Sequence, residues 1–185
     1  MMKLSLLAIC LGLGVSLANI YGLLQPGKCS TLARQFPRSQ PAGWVLMLLG
    51  TAWFLYILNY EPIADFSAYK NVMMLGFGAV GLLACIFVQD FLAVRGLAIL
   101  LMLLGKLMVD TGRPHLGESP CVLIIQALAY VYVIAGMWLT VNPWRLRDWL
   151  NWLTATEQRL RLVSGVRLVA GLGLVALGLT VFRNM

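Results

Sequence analysis

The chain has 185 residues, of which 61% are hydrophobic and only 11% are charged, and its formal net charge is +7. A soluble domain carries about 25% charged residues, so this composition excludes a protein with a water-exposed globular surface. The excess of positive charge indicates a membrane protein whose basic loops lie on one side and contact anionic lipid headgroups, and we expect no nucleic acid partner.

Six segments approach the roughly 20 apolar residues that a bilayer-spanning helix needs. They use most of the chain, which predicts an all-α polytopic integral membrane protein with a single transmembrane domain over residues 1–185. The third and fourth segments are joined by a very short turn, so they form either two full spans or a tight hairpin. The six predicted spans are Leu4–Leu24, Ala42–Tyr60, Asn71–Val88, Phe91–Asp110, Cys121–Val141 and Ser164–Phe182.

The first span begins like a secretory signal peptide. Lys3 precedes an apolar run in which small residues surround Leu17, as at a cleavage site. The apolar run nevertheless continues through Ile20–Leu24, so we expect an uncleaved span. Small residues also form ridges that predict close helix packing, on the first span at Ala8, Gly12 and Ser16 and on the last at Ser164, Gly171 and Gly178.

Lysine and arginine are unevenly distributed between the two sides of these spans. Nine fall on the side of the first and fifth loops, and five fall on the other side. Basic loops stay in the cytoplasm. We therefore expect a bacterial inner (cytoplasmic) membrane protein whose two termini lie outside.

The fourth span carries four charged residues on a restricted part of its surface. At about 100° per residue, Lys106 lies roughly 20° from Arg95, Asp110 about 60° away, and Arg113 in line with Arg95. Charges inside a membrane usually face protein or water and mark a function or an assembly contact.

Two interpretations of these charges remain open. Lys106 and Asp110 are four residues apart and neutralise each other on one helix, which makes the pattern structural. Alternatively, the charges belong to a polar seam between subunits or along a substrate path. Asp90, Gln126 and Tyr130 are the candidates to complete such a seam.

Lys106 and the Arg113-Pro114 pair have the spacing Lys-x6-Arg-Pro. This motif is similar to the first signature of the type 2 phosphatidic acid phosphatase family, in which the Lys and Arg clamp a phosphate beside a histidine nucleophile. The second and third signatures of that family are absent, and His115 cannot supply both nucleophile and acid. The resemblance leaves open a phosphate or lipid-headgroup contact at Lys106 and Arg113.

The sequence predicts no cofactor and no metal ion. The glycines from Gly76 to Gly81 match the dinucleotide pattern GxGxxG, but they lie inside an apolar helix, and the acidic residue expected about 20 positions later is missing. His115 is the only histidine and no Cys/His cluster occurs, so the sequence lacks a ligand set for zinc, iron–sulfur or haem.

The segment before the last span predicts a basic amphipathic helix at about residues 144–163. Leu146 and Leu153 lie on one helical face with Trp149, and Pro143 suits a helix start. Such a helix lies in the membrane interface, either as an anchor or as a docking surface for a partner subunit or lipid headgroup. The predicted anchoring residues are Trp144, Trp149, Trp152, Arg145 and Arg147.

Residues 20–58 and 137–179 share one order of features, which suggests a weak internal repeat. Each runs from a span end through a proline and a basic stretch to a glycine and a further span.

Two classes of function follow from these observations. Short loops, no cofactor ligands and helix-packing ridges favour a non-catalytic integral membrane subunit or assembly partner of a larger complex, which implies other membrane protein subunits and membrane lipids as partners. The alternative is a small carrier or channel that uses the polar seam. A lipid-headgroup-binding or lipid-modifying protein ranks third, because the sequence shows no complete set of catalytic residues.

Overall fold

The computed structural model describes residues 3–61 and 69–183, and in this part of the chain it contains helices and turns but no strand. Six helices are long and apolar enough to cross a membrane, which confirms the prediction of an all-α polytopic membrane protein. The α-helices are, in chain order, α1 (Leu4–Leu24), α2 (Pro26–Gln35), α3 (Gln40–Tyr60), α4 (Lys70–Phe87), α5 (Leu92–Gly112), α6 (Val122–Val141), α7 (Trp144–Leu153) and α8 (Glu157–Leu179). The six of membrane-spanning length are α1, α3, α4, α5, α6 and α8. Short 3₁₀ segments follow α2, at Phe36–Arg38, and α5, at Arg113–His115.

The last predicted span and the amphipathic helix have different bounds in the structure. Helix α7 ends at Leu153, before the predicted end at 163, and α8 begins at Glu157 instead of Ser164. Thr156 separates them because its backbone is extended, with φ −135° and ψ 142°, and its carbonyl accepts the Leu160 N–H. An acidic first residue such as Glu157 favours a helix start at this point.

The first basic loop also contains a helix, α2, which the sequence analysis did not predict. It starts at Pro26, where the missing N–H of proline costs nothing at a helix start. Both segments of the suggested repeat thus contain a short helix beside a proline, and the repeat stays a prediction.

The chain forms two compact units, each assembled from separate pieces. The first contains the described residues up to Arg34 together with Gly105–Val131 and the chain from Arg147 onwards, and the second contains Gln35–Leu104 and Tyr132–Leu146. Helices α5 and α6 contribute residues to both units. A single transmembrane domain stays a prediction.

The first unit is built around an antiparallel pair, α1 and α8. A methyl group on Gly12 would lie 2.5 Å from the Gly171 carbonyl oxygen, and one on Gly22 would lie 2.8 Å from Ser164 Oγ. At the other end, one on Gly178 would lie 2.8 Å from Ile9. The two small-residue ridges therefore pack against each other, which confirms that they are packing surfaces.

The second unit is organised around α3, which contacts α4 and the beginning of α5. A methyl group on Gly96 of α5 would lie 2.7 Å from the backbone nitrogen of Met47, so these two helices approach at backbone distance. Helix α3 also contacts α4, where Thr51 of α3 lies against Gly81 of α4. The rings of Phe54 and Phe77 meet edge to face, with centroids 5.1 Å apart.

Helices α4 and α5 are both of full length, and the turn between them is tight. Phe91 adopts a left-handed backbone conformation, with φ 55°, which is unfavourable for a residue with a large side chain. Its side chain packs on the buried cluster of Val94, Ala98 and Leu139, and its carbonyl accepts the Arg95 N–H. Packing of the partly buried ring stabilises the strained turn. The third and fourth predicted spans are two full-length helices joined by a tight turn, which is the first of the two predicted alternatives.

Candidate functional site

The seam predicted on the fourth span begins with an ion pair in the first unit. Lys106 Nζ lies 2.6 Å from Asp110 Oδ2, one helical turn away. The two side chains are 40% and 54% exposed, so this pair lies at the surface of the unit. The i, i+4 pairing predicted for these residues is confirmed.

Gln126 provides the polar contact between α5 and α6 in the same unit. Its side chain is buried, and its amide Nε2 donates to the Val109 carbonyl at 3.3 Å. Gly112 makes room for this amide, because a methyl group there would lie 2.6 Å from Nε2. Tyr130, one turn further along α6, is 59% exposed and lies outside this buried contact.

The residues after α5 form a separate local pair. Arg113 is exposed at the start of the 3₁₀ segment, and His115 Nδ1 lies 3.0 Å from Glu118 Oε2. The histidine next to the Lys-x6-Arg-Pro motif is thus paired with a carboxylate three residues away.

Two further seam candidates belong to the second unit. Asp90 is exposed in the turn before α5. Arg95 is half-buried, and its Nε is buried without a hydrogen-bond partner among the described residues. The seven seam candidates therefore fall into two groups, with Lys106, Asp110, Arg113, Gln126 and Tyr130 in the first unit.

A contact that the sequence analysis missed joins α2 to the α7–α8 junction. Arg34 Nε donates to Thr154 Oγ1 at 2.9 Å, and Arg34 Nη2 donates to the Thr154 carbonyl at 2.7 Å. Thr154 is buried, and its hydroxyl also donates to the Leu150 carbonyl. A guanidinium at the C-terminal end of α7 is favourable because that end of a helix carries partial negative charge.

The predicted anchoring residues of α7 divide between the units. In the first unit, the Arg167 guanidinium lies over the Trp149 ring at 4.8 Å, and that of Arg159 lies over Trp152 at 5.5 Å. Arg147 Nη2 lies 2.8 Å from Asp148. In the second unit, Trp144 and Arg145 are exposed. Tryptophan and arginine in such contacts are typical of membrane interfaces.

The sequence carried only a partial signal for the Arg34 contact. Thr154 and Thr156 before Glu157 have the composition of a helix boundary, which would have divided the segment 144–163. The partner of Thr154 lies 120 residues away, and no local pattern indicates it.

No protein-family model matches this chain, and the curated proteins and solved structures give no match either. Within residues 3–61 and 69–183, no three His, Cys, Asp or Glu side chains form a group that could hold a metal ion.

Proposed function

We propose that this protein is a non-catalytic integral membrane subunit or assembly partner of a larger membrane protein complex. The observation that carries the proposal is an open glycine, Gly76, on the outward face of α4. The partner we propose for this face is a transmembrane helix of another protein.

Most span glycines that face a neighbouring helix lie so close to it that a side chain would not fit. A methyl group on Gly43 would lie 2.9 Å from the Ala93 backbone nitrogen, and one on Gly136 would lie 2.8 Å from the Ala98 carbonyl oxygen. Gly76, like Gly14, Gly165 and Gly173, instead has no described atom within 4 Å of its missing Cβ. Glycine inside a helix costs about 0.5–1 kcal/mol relative to alanine, so it is expected where a backbone must approach closely.

Gly76 lies in the middle of an apolar helix face. This face is exposed over its full length, and α4 is the least buried of the six long helices. A glycine in the middle of such a face allows a second helix to approach at backbone distance. The face consists of Val72, Gly76, Val80, Leu83 and Phe87.

The polar seam supports this proposal over the carrier alternative. Lys106 and Asp110 neutralise each other along one helix, and the amide of Gln126 donates to a backbone carbonyl. A carrier would instead require these groups to face a substrate path. Their contacts within the protein favour a structural role for the seam.

We place the complex in a bacterial inner membrane, with both termini outside and the basic segments in the cytoplasm. The supporting observation is the excess of basic residues on one side. In the first unit, Arg34 contacts Thr154, and Gly22 lies against Ser164, so the segments after α1 and before α8 lie at the same end of this helix pair. A single orientation of the α1–α8 pair in the membrane therefore puts both basic segments on the cytoplasmic side.

Native purification in a mild detergent tests the proposal. We expect the protein to be recovered with other membrane proteins at a fixed ratio. Gly76→Leu should remove those proteins, because its side chain would fill the notch that the partner helix needs but would not clash with the described residues around Gly76. Gly173→Leu on α8 is the matched control, because that glycine also has no atom within 4 Å of its missing Cβ. Migration alone or as a homo-oligomer would contradict the proposal.

A further inference from the structure

We infer that the outer face of α8 binds one anionic phospholipid, with its headgroup at Arg161 and an acyl chain along the helix. A shallow, open groove of about 760 Å³ lies along this face, and all of its described lining residues belong to α8. Its lining residues are Gln158, Arg161, Leu162, Gly165, Val166 and Val169. The inference concerns α8 and is independent of the function proposed for α4.

The polar end of the groove lies in the first two turns of α8. Arg161 is 58% exposed, and its only described ion pair is a long one, 3.9 Å from Glu157 Oε2. Arg159, its neighbour, is instead placed over the Trp152 ring. The Arg161 guanidinium and the Gln158 amide therefore supply hydrogen-bond donors at the groove entrance, as a lipid phosphate requires.

The remainder of the groove is apolar and extends over about two thirds of one leaflet. From Leu162 to Val169 the helix rises by about 10 Å. Half of a hydrocarbon core of roughly 30 Å is about 15 Å, so this part of the helix contacts about two thirds of one acyl chain. Gly165 forms a notch in the middle, because no atom of the described residues lies within 4 Å of its missing Cβ.

This order of polar and apolar groups distinguishes a lipid from other occupants. A free phosphate would use the guanidinium but not the apolar groove below it. A transmembrane helix would cover the apolar part, but it would match Arg161 only if an acidic side chain stood at that end of the helix. An anionic lipid satisfies both parts, and the net charge of +7 favours the same class of ligand.

Native mass spectrometry of the delipidated full-length protein tests the inference, with phosphatidylglycerol and phosphatidylcholine as probes. We expect one phosphatidylglycerol to bind in preference to phosphatidylcholine. Arg161→Gln should weaken phosphatidylglycerol binding about tenfold by removing a charge-assisted hydrogen bond. Gly165→Leu should weaken both lipids by filling the groove, whereas Gly14→Leu, at an open position on α1, should leave binding unchanged.

Three results would overturn the inference. The first is equal binding of the two lipids with no effect of Arg161→Gln. The second is competition by inorganic phosphate as effective as that by the lipid, which would identify a simple anion site. The third is a co-purified protein that Gly165→Leu removes, which would identify a protein as occupant. Gel filtration and thermal unfolding in phosphatidylcholine confirm that each variant is folded before lipid binding is compared.

Discussion

The α1–α8 pair and helix α4 are both rich in glycine and both carry open glycines, but their covered glycines meet different neighbours. In the pair, Gly12 and Gly171 bring the two backbones together, and either would clash with its neighbour if it carried a side chain. In α4, Gly81 faces the Thr51 side chain, whereas no described atom lies within 4 Å of the missing Cβ of Gly76. The difference shows that a glycine allows close approach, and that the fold decides whether a backbone, a side chain or no described atom occupies the space beside it.

The strongest way to break the α1–α8 contact is Gly171→Leu. The new side chain would meet Ser16 Oγ and the Gly12 carbonyl oxygen, atoms that lie 2.6 and 2.9 Å from the position of its Cβ. We expect a loss of about 3 kcal/mol in the free energy of unfolding, because backbone cannot yield as a side chain can. Thermal unfolding in detergent measures it. Gly173→Leu on the same helix is the control, and equal destabilisation by both would show that the contact is not the cause.

A smaller effect is expected within α4. Gly81→Leu would place its Cβ 2.6 Å from Thr51 Cγ2 and 2.9 Å from Thr51 Cβ, so the clash involves one side chain and not a neighbouring backbone, and we expect about 2 kcal/mol of destabilisation. Gly76→Leu should leave the unfolding temperature unchanged or slightly raised, because leucine is the better helix former. The comparison uses purified protein without partners. A loss of stability with Gly76→Leu would mean that this face is packed in the folded chain.

The Arg34 contact gives a third test, at the end of the α1–α8 pair. Arg34→Ala removes both hydrogen bonds to Thr154, and hydrogen bonds that involve a charged group contribute about 1.5 kcal/mol. Lys28→Ala on α2 is the control, since Lys28 is exposed. Denaturation monitored by tryptophan fluorescence compares the two, because Trp149 and Trp152 lie on α7. If the two variants unfold alike, the contact adds nothing to stability.

Asp110→Asn should have the smallest effect. Its ion pair with Lys106 lies within one helix and is partly exposed, so we expect a change of about 0.5 kcal/mol or less. The variant should also retain the partners that co-purify with the unaltered protein. The carrier alternative makes the opposite prediction for cells, in which Asp110→Asn would abolish transport or its ion dependence. Pull-down and growth assays on the same variant therefore separate the two functions.

Much of the fold was predictable because its signals are local. Six apolar stretches of span length predict six helices, and the spacing of Lys106 and Asp110 predicts their ion pair, since four residues complete about one helical turn. The ridges at Gly12 and Gly171 were recognisable as packing surfaces for the same reason. The division between α7 and α8 was missed, because the amphipathic pattern continues past Thr156 although the backbone does not remain helical.

The sequence by itself determined that this protein is an all-α membrane protein and which helix faces are suited to close packing. Only the tertiary structure decided that the ridge of α1 faces that of α8, that Arg34 contacts Thr154, and that Gly76 and Gly165 remain open. The physical reason is distance along the chain. Helix formation depends on neighbours within one or two turns, whereas these contacts depend on which helices become neighbours after folding. The same limit applies to the candidate site, where composition indicated charged and small residues but not which of them the fold would leave exposed.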